Sequence, residues 1–285
     1  MVKFDADSYK KGLVGIWTEA APKYHADWAS KDTGPFKSTS KLVEISKITK
    51  GDRVLDLACG TGAVTKKISY KIGPHGKVVG VDISPGPLKI AKKWNKRRNV
   101  QFVISDVEKM RLDEEFDSVT CQYGLMFFPY LQTALRNVRK FLKEDGRITV
   151  AVHGSKRMVP YFSCISNPVL KFIPDFVPPG APTVHRLGTK DLLRREFVKA
   201  GFKEIRIHEF NFKYKAGTFH DYWNDYFTNL STPLKGKLKS LPANKFIAMK
   251  KMVKRNTERF TKKGKIIFPW KVLILTAMNP KKLVD

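Results

Sequence analysis

Apolar residues follow two different rhythms along this chain. From Arg53 onward, short runs rich in Val, Ile and Leu alternate with stretches whose apolar residues recur every three or four positions. Continuous short runs mark strands buried on both faces, and a period near 3.6 marks helices. The runs predict strands at 53–57, 77–82, 100–104, 116–121 and 146–152, with helices at about 62–72, 86–96 and 131–143. Gly73-Pro74-His75-Gly76 and Lys143-Glu144-Asp145-Gly146 supply breaks. Such alternation predicts an α/β fold: a mainly parallel, doubly wound sheet with right-handed crossovers. Ligands of such sheets sit outside the carboxyl ends of the strands.

The flanks have other patterns. Residues 8–30 are helical in part, with Tyr9, Leu13, Ile16 and Trp17 at helix spacing and Pro22 interrupting the run. Phe36 to Ile48 predicts a second amphipathic helix, ended at Lys50-Gly51-Asp52. In 153–188, six prolines alternate with Tyr161, Phe162, Phe172 and Phe176, too apolar for a disordered linker. An insertion at that point lies over the ligand edge of the sheet, so it is expected to act as a lid or pocket wall. Thr189 is an expected N-cap for a helix over 190–200, stopped by Gly201. A strand follows at 202–214, then an aromatic helix face at 217–229. Residues 244–263 predict an amphipathic helix with a strongly basic outer face, and Ile266 to Met278 a closing strand.

The stretch Val54-Leu55-Asp56-Leu57-Ala58-Cys59-Gly60-Thr61-Gly62 organises the rest. It reads as the end of a buried strand and a tight turn before a helix. Small residues at Ala58, Gly60 and Gly62 let backbone N–H groups approach a ligand. The next strand ends in Asp82, 22 residues after Gly60, where a carboxylate can accept hydrogen bonds from both hydroxyls of a ribose. The dinucleotide fingerprint G-x-G-x-x-G is incomplete in either register, with Ala58 or Thr65 in a glycine position. Asp56 inside the turn motif suits a ligand carrying a positive charge.

Asp56-Leu-Ala-Cys-Gly-Thr-Gly62, Gly80-Val-Asp82, Ser105-Asp106-Val107-Glu108 and Phe116-Asp117-Ser118-Val119 together resemble the class I methyltransferases that use S-adenosylmethionine (SAM). The resemblance covers roughly residues 15–152 and is strongest to the small-molecule branch that includes the ubiquinone/menaquinone-biosynthesis methyltransferases. It implies a Rossmann-like sheet of seven strands with helices on both faces and the last strand antiparallel. It also implies a helical cap over 1–50, a SAM-binding core over 51–152, the insertion 153–188, and a C-terminal part of the same domain over 189–285. Gly60 and Gly62, with Ala58 and Cys59, would line the methionine half of SAM. Asp56 would meet its amino group, Asp82 its ribose, and Ile83 its adenine. Asp106 would accept from the adenine amino group, beside Val107. Gln122 would lie at the methionine end, and Tyr24 of the cap nearby. Asp106 as a cap of its own turn, and the cap aromatics as plain core, are the structural alternatives.

Methyl transfer asks the protein to position a nucleophile, exclude water and sometimes remove a proton. His153, which follows the fifth strand, is the first candidate base and His185 the second; Tyr123 is a candidate for orienting the acceptor. The segment Cys121-Gln122-Tyr123-Gly124 lacks the Asn/Asp-Pro-Pro-Tyr/Phe element with which related enzymes grip an amino group. It also lacks the Pro-Cys pair of cytosine-5 enzymes. Both absences favour a small-molecule acceptor whose nucleophile is O, C, N or S. No His/Cys/Asp/Glu spacing suits a metal.

Composition changes this picture in one respect. The 285 residues carry 54 Lys+Arg against 26 Asp+Glu, a formal charge of +28. That is the footprint of a polyanion partner, or of a solvated lysine-rich surface. An RNA methyltransferase using the basic helix, and a non-catalytic SAM- or RNA-binding protein, are therefore the competing functions, with an NAD oxidoreductase behind them. The small-molecule reading expects at most weak, salt-labile contact with RNA or an anionic surface. Three cysteines without metal spacing suit a reducing cytoplasm. No signal-peptide core opens the chain, and no apolar run suffices to cross a bilayer.

Overall fold

The computed structural model describes residues 4–280 apart from 229. The helix α1 (Ala6–Asp27) is followed by 3-10 turns and the short α2 (Thr39–Ile45). Then β1 (Arg53–Leu57), α3 (Ala63–Lys71), β2 (Lys77–Asp82), α4 (Pro85–Trp94), β3 (Val100–Ile104), β4 (Phe116–Gln122), α5 (Leu131–Phe141) and β5 (Leu142–His153) alternate. After α6 (Pro160–Phe172) and α7 (Lys190–Lys199) come β6 (Lys203–Gly217), α8 (Phe219–Thr228), α9 (Thr232–Lys239) and α10 (Ala243–Thr257). The two-residue β7 (Thr261–Lys262) and the long β8 (Lys265–Met278) end the fold.

The sheet order is β3-β2-β1-β4-β5-β8-β6, with β7 folded back on β8. The first five strands are parallel; β8 runs antiparallel between β5 and β6. This is the expected doubly wound sheet, with β7 as an added hairpin strand. Burial explains the register of the run patterns. Val54, Leu55 and Leu57 of central β1 are fully buried, as are Val272, Ile274 and Leu275 of β8. Edge strand β6 instead alternates exposed and half-buried residues. Its exposed positions carry charges such as Lys203, Lys213 and Lys215, which discourage pairing with another chain's edge.

Four sequence expectations need correction. Pro22 does not interrupt α1, which continues to Asp27. Pro22 and Thr18 are both exposed, so water can satisfy the carbonyl that the missing N–H leaves free. The expected helix at 36–48 is a 3-10 turn (Gly34–Ser38) and a shorter helix. The expected helix at 244–263 ends at Thr257, and Thr261–Lys262 pair as a strand instead. Helix α9 was not anticipated, because its apolar residues are only Pro233, Leu234 and Leu238. Residues 1–3 of the expected cap and 281–285 of the C-terminal part lie outside the described residues. No described helix is long and apolar enough to cross a membrane.

Candidate SAM site and its roof

Parallel strands β1, β2, β3 and β4 all end on one edge, where a cavity opens. The turn after β1 forms one wall. It uses backbone conformations that favour small residues: Ala58 has φ +48, Gly60 +55 and Gly62 +83. A Cβ on Gly60 would meet nothing within 4 Å, so the backbone there faces open space. Gly62 is different. It precedes α3 and does not line the cavity; a Cβ on it would press Ala91 at 3.2 Å. Its smallness serves the packing of α3 on α4. Tyr123, at φ +60, is a second non-glycine residue held in the left-handed region on the cavity wall.

Four carboxylates line the cavity: Asp56, Asp82, Asp106 and Glu108. Asp82 ends β2, with Oδ2 accepting the Gly60 N–H at 2.9 Å and Oδ1 accepting the Ser84 N–H at 2.8 Å. These bonds fix its rotamer and leave a second lone pair on each oxygen. Burial raises its pKa although the backbone N–H groups oppose this. Asp56 is deeper, only 1% exposed, and accepts from Thr65 at 2.5 Å and Thr120 at 2.8 Å. Desolvation pushes its carboxyl up to about 6 against those hydroxyls. Asp106 follows β3; its Oδ1 accepts the Glu108 N–H at 2.9 Å and its Oδ2 the Lys10 ammonium at 2.7 Å. Ala58, Cys59, Ile83, Val107 and Gln122 also line the cavity. The Gln122 amide is turned away, between Thr39 Oγ1 at 3.0 Å and Ser38 Oγ at 2.9 Å.

One face of α1 forms the roof. Lys10, Leu13, Trp17, Ala21 and Tyr24 recur at spacings of three and four and all line the cavity. Phe36, Phe127 and Phe128 continue the apolar wall. Trp17 packs edge-on against Tyr24 and Phe127, and Tyr24 against Phe36. His25 Nδ1 lies 3.0 Å from Thr61 Oγ1, tying the roof to the glycine turn. Of the roof residues, sequence reading singled out Tyr24 and missed Lys10. The stripe 10-13-17-21-24 was the available signal.

The candidate bases lie elsewhere. No histidine lines the cavity. His153 is buried behind Tyr123, their rings stacked at 4.1 Å, and its Nδ1 accepts from the Trp270 indole at 3.3 Å. Burial holds its pKa well below the ordinary histidine value. His185 donates from Nδ1 to the Gly154 carbonyl at 2.7 Å, and burial lowers its pKa too. Tyr123 does line the cavity, but its hydroxyl is bound to Ser38 at 2.7 Å and the Pro35 carbonyl at 2.9 Å. The 153–188 segment supplies no cavity residue. Tyr161 instead centres an aromatic cluster with Trp28, Tyr214, Tyr222, Phe268 and Trp270. Phe176 is 5% exposed and belongs to the core. Tyr161 is thus packed against β8 and α8, and the ring faces away from the expected place over the cavity. The cysteines are free, buried thiols, and burial pushes Cys121 up to about 12, which removes its thiolate character. Among the described residues no cluster suits a metal.

A family model described as a methyltransferase domain matches residues 48–182, which contain all four carboxylates and the turn. A ubiquinone/menaquinone biosynthesis C-methyltransferase from Pseudomonas savastanoi pv. phaseolicola is 31% identical over 181 residues, 58% of this chain and 71% of that protein. The chain belongs to the class I SAM-dependent methyltransferases. The namesake enzyme of Pseudomonas fluorescens is 41% identical over 113 residues, 38% of this chain and only 44% of its own length. Phosphoethanolamine N-methyltransferase 2 of Haemonchus contortus, solved in complex with SAM, shares the fold at a TM-score of 0.53 and 13% identity, over 86% of this chain and 53% of that one. SAM is thus the methyltransferase's cofactor. The residues present fit it: a backbone cradle at Gly60, an ordered carboxylate with free lone pairs at Asp82, and an apolar cavity under the roof.

Proposed function

We propose that this methyltransferase transfers the methyl group of SAM to a carbon of a small, apolar, quinone-like ring. The observation that carries this reading is the aromatic wall of Trp17, Tyr24, Phe36, Phe127 and Phe128, which offers flat apolar contact, while the cation on the cavity wall, Lys10, is already paired with Asp106 and Glu108. Both Pseudomonas relatives are ubiquinone/menaquinone biosynthesis C-methyltransferases, which supports the same acceptor class. When bound, SAM supplies an electrophilic methyl group on a sulfonium that departs as a neutral thioether.

The roles we assign follow the geometry. Asp82 binds the ribose hydroxyls, Ile83 and Val107 flank the adenine, and Asp106 accepts from its amino group. Ala58, Cys59 and Gly60 pass the methionine half, with Asp56 balancing its ammonium. Residues 4–50 cap this site, and the roof of α1 excludes water. Neither His153 nor His185 is retained as a base, since His153 is buried, His185 is half-buried, and both are hydrogen-bonded and off the cavity wall. The acceptor arrives instead with its own hydroxyl ionised, so that its ring carbon is nucleophilic; as the C–CH3 bond forms the S–CH3 bond breaks, and the proton left on the methylated carbon then passes to the former phenolate oxygen, restoring the ring. The chain then has to align ring and methyl group.

The test is calorimetry with Asp82→Ala, followed by turnover of labelled SAM on demethylated quinols. Losing two charge-assisted hydrogen bonds should weaken SAM binding by roughly 2–4 kcal/mol. Unchanged SAM affinity would remove the site assignment, and label entering RNA but no quinol would remove the acceptor assignment.

A further inference from the structure

One face of α1 roofs the cavity, so movement of that roof would widen the way in for SAM. The two halves of α1 are held differently. The C-terminal half is wedged by rings, with Tyr24 on Trp28 and Trp28 on Tyr161 and Tyr214. At its middle, α4 approaches so closely that a Cβ on Gly86 would lie 2.7 Å from Thr18 Cα. The N-terminal half contains Gly12 and Gly15, both exposed, with open space where a Cβ would stand. Each interior glycine weakens a helix by about 1 kcal/mol relative to alanine.

Lys10 holds this weaker half down. Its ammonium, in a residue 8% exposed, bonds Asp106 Oδ2 at 2.7 Å and also pairs with Glu108 Oε2. Glu108 Oε1 in turn accepts the Tyr130 N–H at 2.8 Å. Asn137 bonds the carbonyls of Val107 and Met110, so the loop receiving Lys10 is itself fixed. Burial opposes the charge on Lys10, but the two carboxylates outweigh it and raise its pKa. A permanent dock would gain as much from apolar packing, since a buried ion pair returns little net stability. Ions that separate into water regain hydration, so this contact suits a roof that opens.

We propose that Lys10 is a cofactor-positioning residue. It orients Asp106 toward the adenine edge and catches the first turns of α1 over the adenosine, and Gly12 and Gly15 are the weak point where the helix releases. This rests on the placement of adenosine at Asp82 and Asp106 proposed above. Each Asp106 oxygen accepts one hydrogen bond already and keeps a lone pair for the adenine amino group.

The test is SAM dissociation by stopped flow, chased with S-adenosylhomocysteine, combined with hydrogen exchange of the cofactor-free protein. Lys10→Met should release SAM about tenfold faster, the effect of losing roughly 1.4 kcal/mol. Exchange should quicken over residues 6–13 and stay unchanged in β1 and β4. Lys10→Arg should restore slow release. Gly12→Ala with Gly15→Ala, which stiffens the same turns without a clash, should slow both association and dissociation. Release from Lys10→Met within about twofold of wild type overturns the catch, and unchanged rates in the double alanine variant overturn the weak point. Should Lys10→Met fail to fold, Glu108→Gln replaces it: faster release supports the catch and unchanged release overturns it. If Asp82→Ala loses SAM while the Lys10 variants release it normally, the catch alone fails. If Asp82→Ala binds SAM normally, the placement beneath it fails.

Discussion

Asp56 is where the cost of this site is concentrated. It is buried at the end of a central strand, and desolvation raises its carboxyl to about 6 from an ordinary 3.8, with the nearby Asp82 charge adding to the rise. Between those two values the folded protein holds more protons than the unfolded chain. Stability should therefore fall as pH rises from about 4 to about 6, by a few kcal/mol at most, and be level above that. Asp56→Asn should flatten this slope, which thermal melts at pH 4.5 and 7 would measure; an unaltered slope would assign it to another group. The same carboxylate, if it faces the SAM ammonium, must be ionised to bind. Affinity for SAM should then rise from pH 5 to 7 in the wild type and not in Asp56→Asn. Gly124 belongs to this scale too. A Cβ there would lie 2.5 Å from Ala58 Cβ and 2.8 Å from Cys121 Sγ. Gly124→Ala should cost about 1–3 kcal/mol of stability, and it should weaken SAM binding because the displaced group is the turn itself. A loss of stability with normal affinity would show that the turn absorbs the clash elsewhere.

Strands and the helices between them were legible in the sequence wherever one pattern held for a whole element. Buried parallel strands demand continuous apolar runs, so β1 and β2 stood out, and a turn built from Ala58, Gly60 and Gly62 can do few things. The carboxylates at strand ends were legible for the same reason: chain position alone puts them on the ligand edge. Less legible was anything decided by packing between distant segments. Lys10 meets Asp106 across 96 residues, and no local pattern announces that. His153 does follow the fifth strand, yet Tyr123 stands between it and the cavity. The 153–188 segment misled for a related reason. Its aromatics signal burial without saying against what, and Tyr161 and Phe162 pack on β8, Tyr161 also on α8. Phe176→Ala should accordingly act as a core truncation, losing about 3–5 kcal/mol while SAM affinity stays within error. Weakened acceptor binding at normal stability would return the segment to the pocket.

For the whole molecule the unanswered feature is its charge of +28. Part of it is neutralised locally: Lys77 and Arg53 share Glu114, and Lys190 and Lys271 share Glu209. The outer face of α10 is not. Lys251, Lys254 and Arg255 are exposed, and no ion pair involves them among the described residues. Crowded like charges weaken a helix slightly, so a polyanion would bind there with some gain. The aromatics needed to read a nucleic acid are not on that face. Phe246 packs on Trp223 and Phe227, and Lys250 is occupied over the Trp223 ring. What remains is phosphate attraction without stacking or base readout, which is weak and falls steeply with salt. We expect Lys251→Glu, Lys254→Glu and Arg255→Glu together to abolish retention on RNA at low salt and to leave turnover of a small quinol unchanged. Binding that survives 200 mM salt, or methylated RNA that disappears with the reversal, would make α10 part of the substrate site and RNA the acceptor.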